Sequence, residues 1–157
     1  MRIGFGYDIH PFVDNRPLII GGVTIPFEKG LQGHSDADVV AHAVADALLG
    51  AAGLGDIGEH FPDSDPKYKN IDSMLILREV EQKIAFEKLR IAHIDIMLVL
   101  QEPNIGPYKM QMRNNIARHL FIAADQVNIK ATTGEGLGFV GRGEGALCYA
   151  AALLLSK

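Results

Sequence analysis

The stretch SDADVVAHAVADALLGAAG, Ser35 to Gly53, constrains this chain more than any other. After a cap at Ser35 or Asp36, seventeen residues pass without a Lys, Arg or Glu. The apolar spacing predicts a helix over 36–52. A helix apolar nearly all round must be packed nearly all round, in its own chain or partly against another subunit. DSMLILREVEQKIAFEKL (72–89) shows how the same protein makes a solvated helix face: Leu77, Val80 and Ile84 are opposed by Arg78, Glu81, Lys83 and Glu87. Against that contrast, the only polar side chains of the first helix, Asp38, His42 and Asp46, recur at i, i+4, i+8. They fall within about 80° of one another. This acid–imidazole–acid stripe is expected to face a cleft rather than open water.

The rest of the chain gives that helix a single domain to pack in. It has 157 residues, 48% of them hydrophobic, enough for one core with no repeat, linker or break in composition. Fifteen basic against nineteen acidic residues leave a net charge of −4, and no basic run exceeds two, which argues against a nucleic-acid partner. A small anionic ligand is still compatible, because backbone N–H groups and metal ions can oppose the global sign. One cysteine, Cys148, rules out a disulfide framework within the chain and reads as core. MRIGFGYDIH lacks the apolar region of a signal peptide, and no run approaches a membrane span, so a soluble cytoplasmic protein is expected.

Strands are expected at IGFGYDIHPF, ending near Pro11, in a short hairpin PLIIGGVTIPF turning at Gly21-Gly22, at IAHIDIMLVL and at QVNIKAT. GLGDIGEHFPDSDP reads as a loop, and residues from about Pro107 to Ile122 as a third helix. GALCYAAALLLS reads as a strand, although Ala and Leu also permit a helix. About four main strands mixed with three helices point to an α+β or α/β layer pair.

Asp8 and His10, at i, i+2 on the first strand, project from one face. Meeting His42 of the helix, they would supply one oxygen and two nitrogens, a three-ligand set that leaves a fourth tetrahedral position open, as catalytic zinc does. Asp46 or Asp38 would then accept the second ring N–H of His42. The alternative is a strand-end His10 and a hydrogen-bonded core His42, and spacing alone leaves the two readings level. No cysteine joins the set, which argues against a structural zinc site.

ATTGEGLGFVGRGEG places six glycines in twelve positions from Gly134, with Thr132, Thr133, Glu135 and Arg142 among them. Such a loop lets backbone N–H groups crowd a phosphate; it serves equally as a turn between strands. GLGFVG matches a dinucleotide fingerprint formally, but the sixteen residues after Gly141 cannot hold the rest of a βαβ unit. Glu135 beside two threonines suits Mg²⁺ shared with substrate phosphates. Asp56, Asp63 and Asp65 on the 53–66 loop are placed either to bind sugar hydroxyls or to cap turns. QEPNIGPY, stiffened by two prolines, either reads a nucleobase edge or simply connects. His34, His60, His93 and His119 have no partner that spacing reveals.

Together GYDIHPF, GGVTIP, GLQGHSDADVVAHAVADALLGAAGLGDIGEHFPDSDP and KATTGEGLGFVGRGEG, with the spacing between them, resemble the 2-C-methyl-D-erythritol 2,4-cyclodiphosphate synthase family of non-mevalonate isoprenoid synthesis, almost end to end. The resemblance implies a single α+β domain over 1–157, with a four-stranded mixed sheet packed by helices on one face. It also implies a cytoplasmic homotrimer with active sites between neighbours, which would explain the unsolvated helix. It assigns Zn²⁺ to Asp8, His10 and His42, and Mg²⁺ or Mn²⁺ with the substrate diphosphate to Glu135. His34 and Thr133 would stabilise the transition state, His34-Ser35 contacting phosphate. Substrate contacts fall on Asp8, Ile9 and His10. Asp56, Ile57 and Gly58 form the erythritol pocket, with Phe61, Pro62, Asp63, Ser64 and Asp65 nearby. Leu100, Gln101, Glu102, Pro103, Asn104, Ile105 and Gly106 form the cytidine turn. Thr132, Thr133, Gly134 and Glu135 form the diphosphate loop, with Phe139 and Arg142 near the subunit interface.

The reaction implied is attack of the 2-phosphate of 4-diphosphocytidyl-2-C-methyl-D-erythritol 2-phosphate on its β-phosphorus, closing a cyclic diphosphate and expelling CMP. An isoprenoid diphosphate could occupy a cavity on the three-fold axis near Phe139, Arg142 and Glu144. Asn104 stands where many members have lysine, and Gly134 where Thr or Asn is frequent; a lysine contact to phosphate or ribose is thereby lost. Rival readings are a zinc hydrolase using metal-bound water and a metal-stabilised nucleotide-binding module.

Overall fold

In the computed structural model, which describes residues 1–157, the long N-terminal strand β1 (Arg2–Asp14) is followed by three short strands, β2 (Leu18–Ile20), β3 (Val23–Ile25) and β4 (Lys29–Leu31). Helix α1 (Val39–Ala52), the short α2 (Ile57–His60) and helix α3 (Ser73–Phe86) come next. Strand β5 (Leu89–Val99), helix α4 (Lys109–His119), strand β6 (Val127–Thr132), the short α5 (Gly138–Gly141) and strand β7 (Gly145–Ser156) complete the chain. The main sheet has the order β4-β1-β7-β5-β6, and β2-β3 form a separate hairpin. Only the β5–β6 pair is parallel, the helix α4 supplying the crossover.

The sheet therefore has five strands, not the four expected. The extra one, β4, is three residues with a central glycine; it shows no alternation and forms only because β1 runs on past Pro11, pairing Phe12 with Leu31 and Asp14 with Lys29. GALCYAAALLLS is a strand, and a central one, hydrogen-bonded to β1 and β5. Its alternating Ala146, Cys148, Ala150, Ala152 and Leu154 are buried on the helix side.

Helix α1 is buried by its own chain. Eleven of its fourteen residues are buried, because it lies between β1 and β7 on one side and α3 on the other. No neighbouring subunit is needed to explain its lack of a solvated face. Its N-cap is Asp38, not Ser35 or Asp36. Approach to the sheet is unusually close, because β1 presents glycine at alternate positions: a Cβ on Gly4 would lie 1.9 Å from the Ala47 carbonyl oxygen, and one on Gly6 1.9 Å from that of Ala43. Only hydrogen at 4 and 6, facing Ala43, Ala47 and Ala51, lets strand and helix touch backbone to backbone.

The opposite face of the sheet carries Ile3, Phe5, Tyr7, Ile9 and Tyr149, all exposed. Ring centroids of Tyr7 and Tyr149 are 5.3 Å apart, and those of Phe5 and Tyr149 5.9 Å, so these side chains form one continuous apolar strip. No helix is long and apolar enough to cross a membrane.

Candidate metal centre and nucleotide cleft

Past the two glycines, the same face of β1 delivers Asp8 and His10 toward the first turn of α1. Three ligand atoms converge there: Asp8 Oδ2 lies 2.8 Å from His10 Nε2 and 3.0 Å from His42 Nδ1, and the two nitrogens are 3.2 Å apart. The edges of a tetrahedron with metal–ligand bonds of about 2.0–2.1 Å measure roughly 3.4 Å, so a zinc ion fits after movements of a few tenths of an ångström. Three acceptor lone pairs converging on one point repel one another unless protons or a cation lie between them, and a single cation satisfies all three. Burial pushes the Asp8 carboxyl up, but hydrogen bonds and charge from His10 and His42 outweigh it and hold Asp8 below the ordinary carboxylate range. Burial likewise pulls His42 down, yet the Asp8 hydrogen bond and the charges of Asp8, Asp38 and Asp36 leave it raised. The site attracts positive charge.

The acid–imidazole–acid stripe serves three different partners, and neither aspartate touches the His42 ring. Asp38 is fully buried and accepts the N–H groups of Gly21 and Gly22 at 2.9 and 2.7 Å, and those of Val40 and Ala41 at 3.1 Å. It thus fastens the hairpin turn to the N-terminus of α1; burial and the nearby Asp36 charge push its carboxyl up to about 6 against the pull of these N–H groups. Asp46 accepts the Ile57 N–H at 2.7 Å, fixing the start of α2. The second ring nitrogen of His42 faces the hydroxyls of Ser73, at 2.9 Å, and Ser35, at 3.0 Å. Period alone sets a side chain's direction, and these partners come from elsewhere in the chain.

Asp8, His10, His42, His34 and Ser35 open into a cavity of about 540 Å³, whose far wall is Ile57, Gly58, Phe61, Pro62 and Asp63 with Tyr68, Ile71 and Ile76. Asp56 and Asp65 stand behind it as caps, accepting the N–H groups of Glu59 and Lys67, and Ser64 is an exposed neighbour. Ile9 turns its side chain to the other face of the sheet. The 33–35 segment is held from behind: Arg16 donates to the carbonyls of Gly33 (3.1 Å) and Ser35, and Asn70 N–H donates to that of His34 (2.9 Å). With the carbonyls tied back, the segment turns toward the cavity, and His34 Nε2 is buried there without a hydrogen-bond partner. Arg16 has no motif to mark it, and sequence reading passed it over.

A second cavity, of about 510 Å³, gathers the whole turn from Leu100 to Gly106 with Thr132 and Thr133, together with Phe27, Lys109 and Ala131. Phe27 and Lys109 were not foreseen. Beside it Thr133 Oγ1 donates to Glu135 Oε1 at 3.1 Å and accepts the Glu135 N–H at 3.2 Å. Glu135 itself has φ of 52°. A Cβ on Gly134 would lie 2.8 Å from the Gly141 nitrogen, so the loop packs tightly on α5. Arg142, which pairs with Glu144 at 2.6 Å, lines a further cleft of about 300 Å³, while Phe139, on α5, lines none of these cavities.

The two main cavities lie apart within one chain. Asp8, Cys148, Leu98 and Ala131 are in register across β1, β7, β5 and β6, and three strand spacings make that row about 14 Å wide.

Known proteins are similar to this chain over nearly its whole length. The family model described as YgbB family matches residues 1–155. The chain belongs to the YgbB family. Within that family it is 62% identical over 152 residues to the 2-C-methyl-D-erythritol 2,4-cyclodiphosphate synthase of Desulfatibacillum aliphaticivorans, covering 96% of this chain and 98% of the relative. It is 55% identical to the synthase of Moorella thermoacetica, over all of this chain and 96% of the relative. Among solved structures, a YgbB-like fold with TM-score 0.96 and 44% identity is the bifunctional IspDF from Campylobacter jejuni, of which this chain covers 42% while 99% of its own length is matched. The Plasmodium falciparum IspF complex with CDP superposes with TM-score 0.87 at 34% identity, covering 99% of this chain and 96% of that one. The family resemblance read from the motifs therefore holds over nearly the full length, and this YgbB chain is a relative of named enzymes.

Proposed function

We propose that this chain converts 4-diphosphocytidyl-2-C-methyl-D-erythritol 2-phosphate to 2-C-methyl-D-erythritol 2,4-cyclodiphosphate and CMP, as a phosphorus–oxygen lyase of cytoplasmic, non-mevalonate isoprenoid synthesis. The observation that carries this reading is the convergence of Asp8, His10 and His42 in a cavity shared with the 57–63 segment, in a chain whose relatives bear the synthase name.

Zinc held by Asp8, His10 and His42, with Mg²⁺ or Mn²⁺ at Glu135, supplies Lewis acidity and charge neutralisation at the phosphate oxygens. The chain's own residues do the rest. The erythritol end lies between the metal ligands and Ile57, Gly58 and Phe61 to Asp63; Asp56, which caps α2 through one carboxylate oxygen, binds a hydroxyl with the other. His34 Nε2, lacking a partner in the protein, donates to phosphate oxygen, and Ser35 contacts the same group. The turn from Leu100 to Gly106 binds cytosine through main-chain groups, so Asn104 is tolerated where relatives carry lysine. Thr132, Thr133 and the 134–135 backbone hold the diphosphate, which orients the β-phosphorus for the 2-phosphate oxygen. The P–O bond to CMP breaks as the ring closes. No protein nucleophile is required; positioning and electrostatics carry the rate.

A homotrimer completes the site. The exposed strip of Ile3 (73%), Phe5 (67%), Tyr7, Ile9 and Tyr149 is the kind of continuous apolar face that self-association buries. Assembly through it brings one copy's metal cavity beside its neighbour's nucleotide cleft. Near the axis, Phe139, Arg142 and Glu144 border space for an isoprenoid diphosphate; unchanged turnover with saturating farnesyl diphosphate would exclude regulation there.

³¹P NMR of the protein with substrate, Zn²⁺ and Mg²⁺ tests the reaction. A cyclic diphosphate with equimolar CMP, abolished by chelator, is expected. An open-chain product would indicate a hydrolase, and an unchanged spectrum a nucleotide-binding module.

A further inference from the structure

The metal reading uses one ring nitrogen of His42 and leaves the other facing two buried serines. Ser73, the first residue of α3, is fully buried, and Ser35 is nearly so. Ser73 Oγ also meets Asp36, whose Oδ1 accepts its hydroxyl proton and whose Oδ2 accepts the Ser73 backbone N–H at 3.0 Å. An ionised carboxylate offers acceptors only. The single hydroxyl proton of Ser73 is therefore directed at Asp36, and what remains toward His42 is a lone pair. His42 Nε2 must be the donor in that contact. Ser35 Oγ accepts the Ala37 N–H at 3.1 Å and keeps a proton and a lone pair free, so it imposes no direction.

We propose that Ser73, polarised by Asp36, is a positioning residue for the metal ligand His42: it receives the Nε2–H, fixes the ring plane, and leaves the Nδ1 lone pair aimed at the ion. Ser73 does not line the cavity, so it acts through His42 and not on substrate. The chain Asp36–Ser73–His42 spans the loop before α1 and the start of α3, so three segments agree on one nitrogen. A partner accepting the distal N–H of a ligating histidine also raises the ligand's basicity.

This inference rests on the metal reading of Asp8, His10 and His42, and the test separates the two. Zinc is titrated into metal-free wild type and Ser73→Ala in competition with a chromophoric chelator, with thermal melts of both proteins. Zinc-loaded ¹⁵N-labelled wild type is examined for the His42 Nε2 proton. The expected result is a zinc dissociation constant weakened about 10–100-fold in Ser73→Ala. In wild type the Nε2 proton should be slowly exchanging, and in the variant it should exchange fast. Equal zinc affinity in the two proteins, or free solvent exchange of that proton in wild type, would overturn the positioning role while leaving the metal site standing. Wild type that binds no zinc would overturn both. Should Ser73→Ala fail to fold, the wild-type exchange measurement decides alone.

Discussion

The glycines of β1 make the most demanding prediction, because they tie backbone packing to metal geometry. In Gly6→Ala the new Cβ would sit 1.9 Å from the Ala43 carbonyl oxygen and 2.6 Å from the Ala47 nitrogen, where nonbonded heavy atoms rest roughly 3.5 Å apart. Both neighbours are backbone, so no rotamer relieves the contact, and α1 must retreat by about 1.5 Å at the turn that carries His42. His42 Nδ1 now lies 3.0 Å from Asp8 Oδ2. Retreat opens that gap to about 4.5 Å, well beyond the roughly 3.4 Å edge of a tetrahedral site. The overpacking itself should cost about 3 kcal/mol, lowering Tm by roughly 6–12 °C in a domain of this size. Zinc affinity should fall by at least about 100-fold, more than an outer partner's loss would cause. Differential scanning calorimetry of metal-free protein and chelator competition for zinc measure the two effects separately. A variant that melts earlier yet holds zinc with wild-type affinity would refute the idea that close strand–helix approach assembles the site.

Other perturbations divide the same structure differently. Gly50→Ala is the matched control: its Cβ meets nothing within 4 Å, so calorimetry should show about 0.5–1 kcal/mol of added stability from helix propensity, with zinc binding unchanged. Asp38→Ala strands the N–H groups of Gly21, Gly22, Val40 and Ala41; a loss of about 4 kcal/mol or more in urea unfolding is expected. Metal-free wild type should lose stability in two pH windows. Asp38, raised to about 6 by burial, makes the folded state bind the extra proton between its ordinary pKa near 4 and 6, so up to about 3 kcal/mol is lost as pH rises through that range. His42, also raised, contributes stability below its ordinary value near 6.5 that disappears as pH climbs past its folded pKa. Zinc should flatten the upper window alone, because the ion takes the place of the proton at Nδ1. A pH series of melts with and without zinc checks both limbs.

Much of this was legible in the chain, for reasons that particular residues make plain. Asp8 and His10 at i, i+2 and His42 on an unsolvated helix made a shared cleft one of two readings that spacing left level, because strand and helix periods fix which way a side chain points. Those periods say nothing about what it meets. Asp38 and Asp46 looked like partners of His42, yet one caps α1 and holds the 21–22 turn while the other holds Ile57. Ser73 and Asp36 reach each other across thirty-seven positions, and nothing local in DSM distinguishes a helix start from a ligand support. The β4 strand escaped notice because Lys-Gly-Leu has no pattern of its own and depends on an edge of β1 for its pairing. Whether the unsolvated face of α1 met its own chain or partly another subunit stayed open for a related reason: apolarity shows that a face is covered, and only the packing of α3 shows by what.

The 14 Å row from β1 to β6 carries a genetic consequence. If each working site borrows its metal half from one copy and its cytidine half from the next, then two crippled alleles can rescue one another. A chain with His42→Ala keeps an intact nucleotide half, and one with Thr133→Val keeps an intact metal half. Each alone should be dead. Co-assembled at equal amounts in a closed ring of three, about one site in four draws both of its sound halves from different parents, so a cell carrying both alleles should live where neither suffices.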